Sequence, residues 1–419
     1  MMIKRTEYLN ILKRFKDKEL IKVITGLRRC GKSTLLKMYQ DYLLQNGIKE
    51  NQIIAINLED LKYNFISDYL SLYNYITGKL NKNAKNYVFI DEVQNIDNFQ
   101  KAVDSLYIQE NVDLYITGSN AKLLSSELST LLSGRYIEIK MLPLSFKEYK
   151  SVYKDYTNDD LYRRYISFGS LPYVTNFNSE DDASLYISSI YNDIIIKDVM
   201  TRKKITDESM LKSVANFAMD NIGNLVSINN IANTMTSNGR NINVRTVEKY
   251  MEGFTESYFL YKASRYDVKG KQYLKTSEKY YVSDLGLRYF ILGRKIGDFG
   301  HILENVVYLE LLRRGYEVYV GKVDEYEIDF VAINSDGKLY VQVAETLKGI
   351  DYNDSKIFER EINPLKRVND NYEKIILTLD KIPKSAAVNE CVKLCKKYGP
   401  KSAGLVNAIL RKVEKTDYD

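Results

Sequence analysis

The chain has 419 residues, with 61 Lys and Arg against 55 Asp and Glu (net +6) and 45% apolar side chains. That length accommodates two to four domains with their own cores, the composition excludes a disordered or fibrous chain, and the mild charge permits a local basic patch without demanding one. Cys30, Cys391 and Cys395 make no disulfide framework, and neither MMIKRTEYLN at the start nor any later stretch approaches the ~18 apolar residues of a membrane span, so a cytoplasmic protein is expected.

In chain order, Tyr8, Leu9, Leu12 and Phe15 recur at helical spacing. Apolar runs at Leu20–Thr25, Gln52–Asn57, Tyr87–Ile90 and Asp113–Thr117 read as buried strands, separated by helical patterns. Such alternation predicts an α/β core with a parallel sheet covered on both faces, here assigned to 1–154. Residues 155–222 are helical, interrupted by FGSLP at 168–172. A third segment, 223–290, has Ser227 as helix N-cap with Ile228, Ile231, Ala232 and Met235 on one face. After SNGRNIN comes a helix that turns Val244, Val247, Met251 and Phe254 inward, then a hairpin tipped by VKGK at 268–271. Two helices and a hairpin in this order describe a winged helix-turn-helix. A helix over Ile302–Arg314 and strands near 316–320, 326–333 and 338–344 make a fourth unit, 296–384, before a helical tail at 385–419.

The segment GLRRCGKST, residues 26–34, follows an apolar strand and opens a helix. In the GxxxxGK[ST] pattern Gly26 and Gly31 let backbone N–H groups face phosphate oxygens, Lys32 reaches the β- and γ-phosphates, and the Ser33 hydroxyl ligates Mg²⁺. Arg28, Arg29, Cys30 and Thr34 complete the nucleotide-binding loop, with Cys30 filling space. YVFIDEVQ at 87–94 is an apolar strand ending in two carboxylates: Asp91 as the second magnesium contact and Glu92 as the base for the attacking water. LYITGSN at 114–120 brings Ser119 or Asn120 to the γ-phosphate end. Arg135 either neutralises transition-state charge, in its own or a neighbouring subunit, or is an ion-pairing surface residue. No complete [NT]KxD motif for guanine is present: NKNA at 81–84 lacks the acid, and GKVD at 321–324 lacks the first residue. The expected ligands are therefore ATP and Mg²⁺.

The stretches IKVITGLRRCGKSTLL, FIDEVQNI, YITGSNAKLLSSELSTLLSGRY, LPLSFKEY, FGSLPYV, DIIIKDV, YYVSDLGLR, GHILENVVYLELLRRGYEV and EIDFVA, spanning about 3–383, resemble prokaryotic AAA-type ATPases with a DUF4143 C-terminal region. The resemblance implies an ATPase core, a winged-helix segment and a C-terminal fold similar to PD-(D/E)xK nucleases. Glu304 and Asp329 match the first two acidic positions of such nucleases. The third reads Gln342-Val343-Ala344, without carboxylate or lysine, so a retained scaffold is expected and cleavage is not. Residues 381–413 resemble a fragment of the RNA-binding domain that precedes ribosomal-RNA cytosine methyltransferases and read as a fusion fragment; Cys391 and Cys395 there lack the further ligands of a zinc site.

Bases outnumber acids between 240 and 280, with Arg245 and Lys249 one turn apart on the expected recognition helix and Lys269 and Lys271 on the wing. Either double-stranded DNA binds there, or the unit is an adaptor packed on the ATPase core. Two functions follow: an ATPase whose nucleotide state switches the C-terminal units near DNA, or an ATP-dependent scaffold with little turnover.

Overall fold

A computed structural model describes residues 3–121, 132, 134–153, 155–293, 298–345 and 356–379. The tail expected at 385–419, with Cys391 and Cys395, lies outside the described residues, as does most of AKLLSSELSTLLS.

Helix α1 (Thr6–Arg14) precedes β1 (Ile21–Thr25), and α2 (Lys32–Gln45) follows it. Next come β2 (Ile53–Asn57), α3 (Tyr69–Thr77), β3 (Asn86–Asp91), α4 (Phe99–Tyr107), β4 (Val112–Gly118) and β5 (Tyr136–Lys140). All five strands are parallel, in the order β2–β3–β4–β1–β5. β1 and β3 are buried at every residue, which is why they read as unbroken apolar runs. One face of the sheet packs on α3 and α4 through Val88, Ile90 and Leu114. The other packs on α1 and α2 through Ile24, Phe89 and Tyr115.

That second face does not end at α2. Helices α5 (Phe146–Lys150), α6 (Asn158–Phe168), α7 (Glu180–Asp193) and α8 (Glu208–Asp220) share its apolar core, as do Leu161, Ile187 and Val214. Between α7 and α8 lies a π-helix, Ile194–Thr201. β6 (Leu225–Val226) leads to α9 (Ile228–Ser237), capped by Ser227 as expected, and α10 (Val244–Glu256). Val247, Met251 and Phe254 of α10 are buried, but Val244, expected to point inward, is 41% exposed: it is the first residue of the helix and overhangs its packed face.

The hairpin β7 (Leu260–Asp267) and β8 (Gln272–Val282) turns at 268–271. After α11 (Leu285–Leu292) and α12 (Phe299–Arg313) come β9 (Glu317–Val323), β10 (Tyr326–Asn334), β11 (Gly337–Ala344), α13 (Lys356–Lys366) and β12 (Glu373–Thr378). β7 pairs in parallel with β9, so the hairpin read as a wing and the C-terminal strands form one seven-stranded sheet, β12–β11–β10–β9–β7–β8–β6.

Two anchors fix the core. Asp284 accepts from the Ser170 hydroxyl (2.8 Å) and its backbone N–H, holding FGSLP beside the start of α2. At the opposite end of the first sheet, Lys22 and Asp113 form an ion pair with both side chains sealed from water. Asp113 also accepts from Tyr115 Oη (2.8 Å) and from the Asp17 backbone (2.9 Å). Burial pulls the Lys22 ammonium below its ordinary range, against the pull of Asp113. Truncating one partner strands the other charge, so Asp113→Ala is expected to cost about 3–5 kcal/mol in urea unfolding, and the Lys22→Met/Asp113→Leu pair much less.

Candidate nucleotide-binding site

The loop between β1 and α2 closes tightly because Gly26 has no side chain. A Cβ there would sit 2.1 Å from the Met141 carbonyl oxygen, and Gly26 has φ of +148°. Arg5, buried in α1's N-terminal approach, donates to the Cys30 carbonyl (2.9 Å), the Leu142 carbonyl (2.6 Å) and Glu148 (2.9 Å), fixing the loop from below. Cys30 itself is fully buried, and burial pushes its thiol up, consistent with a space-filling role.

Lys32 folds back onto the loop, donating to the carbonyls of Gly26 (3.1 Å) and Leu27 (3.2 Å), and lies 3.7 Å from Glu92 Oε1. Asp91 ends β3, and its carboxylate accepts from the Thr117 hydroxyl on the neighbouring β4. Burial pushes the Asp91 carboxyl up from its ordinary range, opposed by hydrogen bonds from Thr117 and Ser33. Glu92 takes the left-handed conformation (φ 54°), its N–H donating to Thr117 Oγ1 (3.0 Å). Gln94 Nε2 binds the Glu92 carboxylate and lies 3.5 Å from Ser119 Oγ. Lys32, Ser33, Asp91 and Glu92 thus meet at the carboxyl ends of β1, β4 and β3, because β4 inserts between the other two. Asn120 is buried one residue beyond Ser119.

A cleft of about 550 Å³ opens over the loop, lined by Arg28, Arg29, Ser33 and Thr34 on one side and by Pro172, Tyr173 and Tyr186 on the other. Arg28 is held by both oxygens of Asp198 in the π-helix (3.0 and 3.1 Å). Arg135 does not reach this cleft. Its guanidinium pairs with Asp104 (2.5 Å), and its carbonyl accepts from Ile21, where β1 begins; the phosphate loop lies beyond the other end of that strand. Thr117 and Asp198 fall inside YITGSN and DIIIKDV, but nothing in those stretches marked their roles, and Arg5 carried no motif signal. Only the strand-end position of Thr117 could have singled it out.

Arg245 and Lys249 are exposed on α10. On the hairpin tip Lys271 is exposed, but Lys269 is engaged with both oxygens of Asp324 (2.7 Å), which cancels its charge.

The residues compared with nuclease positions form a second polar cluster. Glu304 accepts from Lys279 Nζ (2.9 Å) and from the Tyr281 hydroxyl (2.5 Å), while Lys279 also pairs with Glu327 (2.8 Å). Gln342 donates to Glu361 of α13 (2.8 Å), and Asp329 accepts from the Val343 N–H (2.7 Å). Lys279 from β8 and Glu361 from α13, each on an element distant in sequence, thus join the cluster, while the Gln342–Ala344 stretch itself contributes neither lysine nor carboxylate. Lys279, one of the bases that outnumber acids between 240 and 280, is buried. Burial works against the Glu304 charge, but His301, Lys279 and Tyr281 together hold that carboxyl below its ordinary range. Burial, then the Glu304 charge, pushes the Asp329 carboxyl up to about 8. No group of three or more His, Cys, Asp or Glu side chains among the described residues is arranged to hold a metal ion.

Residues 18–150 match an AAA domain family, 159–296 a domain of unknown function (DUF8612), and 372–415 the NusB family. DUF8612 thus stands where the resemblance led to an expectation of DUF4143. An uncharacterized protein of Haemophilus influenzae is 43% identical over 90% of this chain and 93% of its own. A second, from Methanocaldococcus jannaschii, is 31% identical over 84% of this chain and 80% of its own. A Walker-type ATPase of Pyrococcus abyssi aligns with a TM-score of 0.48 at 13% identity, covering 69% of this chain and 96% of that one. No helix among the described residues is long and apolar enough to cross a membrane.

The Asp329 carboxyl gives the fold a measurable pH signature. Its folded-state pKa lies above the ordinary 3.8, so the folded chain keeps a proton that the unfolded chain loses. The stability this contributes is complete below about pH 4 and is lost as pH rises through about 8. Asp329→Asn should flatten that decline, gaining on wild type in urea midpoint from pH 5 to pH 9; a constant difference across that range would exclude a raised Asp329.

Proposed function

This chain belongs to the same family as its Haemophilus influenzae relative, and on that premise we propose that it is a Mg²⁺-dependent ATPase whose nucleotide state acts on the segments that follow the AAA domain. One observation carries the reading: Lys32, Ser33, Asp91 and Glu92 converge at the ends of three adjacent parallel strands, under a cleft large enough for a nucleotide.

In the resting arrangement the Lys32 ammonium is spent on two loop carbonyls and on Glu92. Phosphate oxygens offer it a stronger charge-assisted partner, so nucleotide entry would draw Lys32 away and leave the Glu92 carboxylate free. Glu92 then takes a proton from the attacking water, with Gln94 holding its second oxygen in place. A hydroxyl and a buried carboxylate, Ser33 and Asp91, are an oxygen-only donor set that suits a hard cation. They would hold Mg²⁺, which supplies charge neutralisation on the phosphates when bound. The loop N–H groups and the positive end of α2 contribute the rest of the anion binding.

Steady-state phosphate release tests this directly. Glu92→Gln should bind ATP like wild type but turn over roughly 10²–10⁴-fold more slowly, and Lys32→Ala should lose binding. Wild type releasing phosphate no faster than Lys32→Ala would leave only the nucleotide-dependent scaffold.

A DNA partner rests on Arg245 and Lys249, the exposed bases of α10, with Lys271 exposed at the hairpin tip and Lys269 subtracted by Asp324. Replacing Arg245 and Lys249 with Ala should weaken duplex binding and lower the log K against log salt slope by about 2. An unchanged slope favours the adaptor reading, in which α10 faces only protein.

A further inference from the structure

Asp198 is the buried carboxylate shared by two arginines; the further acid at Arg28, Glu59, is half-exposed and 3.6 Å away. It binds Arg28 in bidentate fashion (3.0 and 3.1 Å), and Arg202, one turn further along, reaches the same carboxylate at 3.4 Å. Arg202 Nη2 also lies 3.4 Å from Ser119 Oγ, the hydroxyl that faces Gln94 and, through it, Glu92. Arg202 Nη1 is buried with no hydrogen-bond partner among the described residues. A buried guanidinium donor without an acceptor is costly and rare. Here it sits beside the proposed base, in a polar cleft of about 970 Å³ that Arg28, Gln94 and Asn120 also line. The idle donor, and two guanidiniums sharing one buried carboxylate, call for an anion at this point.

Asp198 lies within a π-helix and Arg202 just after it. Such helices are rare, and their wide turns concentrate at functional sites. This one is wedged against α10. A Cβ on Gly253 would come 2.7 Å from Val199 Cγ1, so no side chain fits between the two. Lys203 pairs with Glu252 (3.2 Å) and Glu256 (2.9 Å) of α10, and the Glu256 carbonyl accepts from the Ala121 N–H, just past β4 (2.8 Å). A shift of the π-helix is therefore a shift of α10, which carries Arg245 and Lys249 at its other end.

We propose that Arg202, together with Arg28, takes the terminal phosphate of bound ATP by leaving Asp198, and that the π-helix transmits this exchange to α10. The inference rests on the ATPase reading and names the groups that would distinguish triphosphate from diphosphate. ADP offers no terminal phosphate, so it leaves both arginines on Asp198. ATP competes with the carboxylate for them, and hydrolysis returns them.

The experiment compares the affinities of the full chain for a non-hydrolysable ATP analogue and for ADP, with Mg²⁺ present, alongside hydrogen exchange across 194–204 and 244–256. Wild type should bind both nucleotides and change exchange in both segments with the triphosphate alone. Arg202→Ala should lose on the order of tenfold to a hundredfold in triphosphate affinity, keep its ADP affinity, and lose the exchange response of 244–256. Because Arg202→Ala removes a packed side chain, Asp198→Asn provides an independent arm. With the competing charge gone, the triphosphate should bind several-fold more tightly and raise the melting temperature more than it does in wild type. Wild-type discrimination retained in Arg202→Ala overturns the inference and leaves the ATPase reading intact. A wild type that binds neither nucleotide removes both.

Discussion

The salt bridge from Arg28 to Asp198 ties a nine-residue motif to a helix 170 positions away, and much of the architecture is arranged around it. Arg28 belongs to a loop whose backbone is fixed from below by Arg5 and whose turn is tight enough to exclude any side chain at Gly26. Asp198 belongs to a helical layer that shares one apolar core with the sheet's α1–α2 face. Asp198 is buried and Arg28 nearly so, and such a pair offsets much of its own desolvation cost rather than adding net stability. Here the apolar core supplies the binding and the ion pair supplies the register, because a guanidinium fork accepts a carboxylate in few geometries. The AAA domain and the segment after it are in consequence not two bodies joined by a linker.

The second sheet makes the same point in a different way. Its strands come from the segment expected as a winged helix and from the segment expected as nuclease-like, joined where β7 runs parallel to β9. Lys279 and Tyr281 arrive from β8, Glu304 from α12, Asp329 from β10, Gln342 from β11 and Glu361 from α13. The charge balance of that cluster is met by Lys279, which bridges Glu304 and Glu327, and by Asp329 retaining its proton. A cluster fed by five elements has to be buried as a unit, which is why the hairpin cannot be separated from the strands that follow it.

What could be read from residues alone was whatever lies close together along the chain. The unit of β1, loop and α2 is contiguous, so strand, glycines, lysine and helix announce one another, and FIDEVQ is legible as an apolar run that stops at two acids. The strands that bury both faces were visible for the same reason, and so was β2, read as buried but an edge strand with Ala55 and Asn57 exposed; β5 was not, because YIEIK alternates apolar with charged residues. Arg5, Asp198 and Arg202 had no local mark, since their partners lie at large sequence separations and only the fold brings them together. Lys279 shows the opposite hazard. It adds to the basic excess of 240–280 by composition, but burial against Glu304 turns that charge inward. Lys269, exposed but neutralised by Asp324, was overvalued for a related reason: sequence gives charge but not its partner.

The contrast between Arg135 and Arg202 bears on assembly. An arginine at the far end of the sheet, paired with Asp104, would act on a nucleotide only in another subunit. Arg28 and Arg202 stand at the strand ends of their own chain, beside Glu92 through Ser119 and Gln94. When cationic groups that can meet a terminal phosphate come from the same chain as the base, charge stabilisation does not require a neighbour. On the proposed reading, the quantity that would control turnover is internal: how readily Asp198 gives up its two guanidiniums. A partner bound on α10 would then act on the rate through the packing of the π-helix against Gly253 rather than through subunit contact.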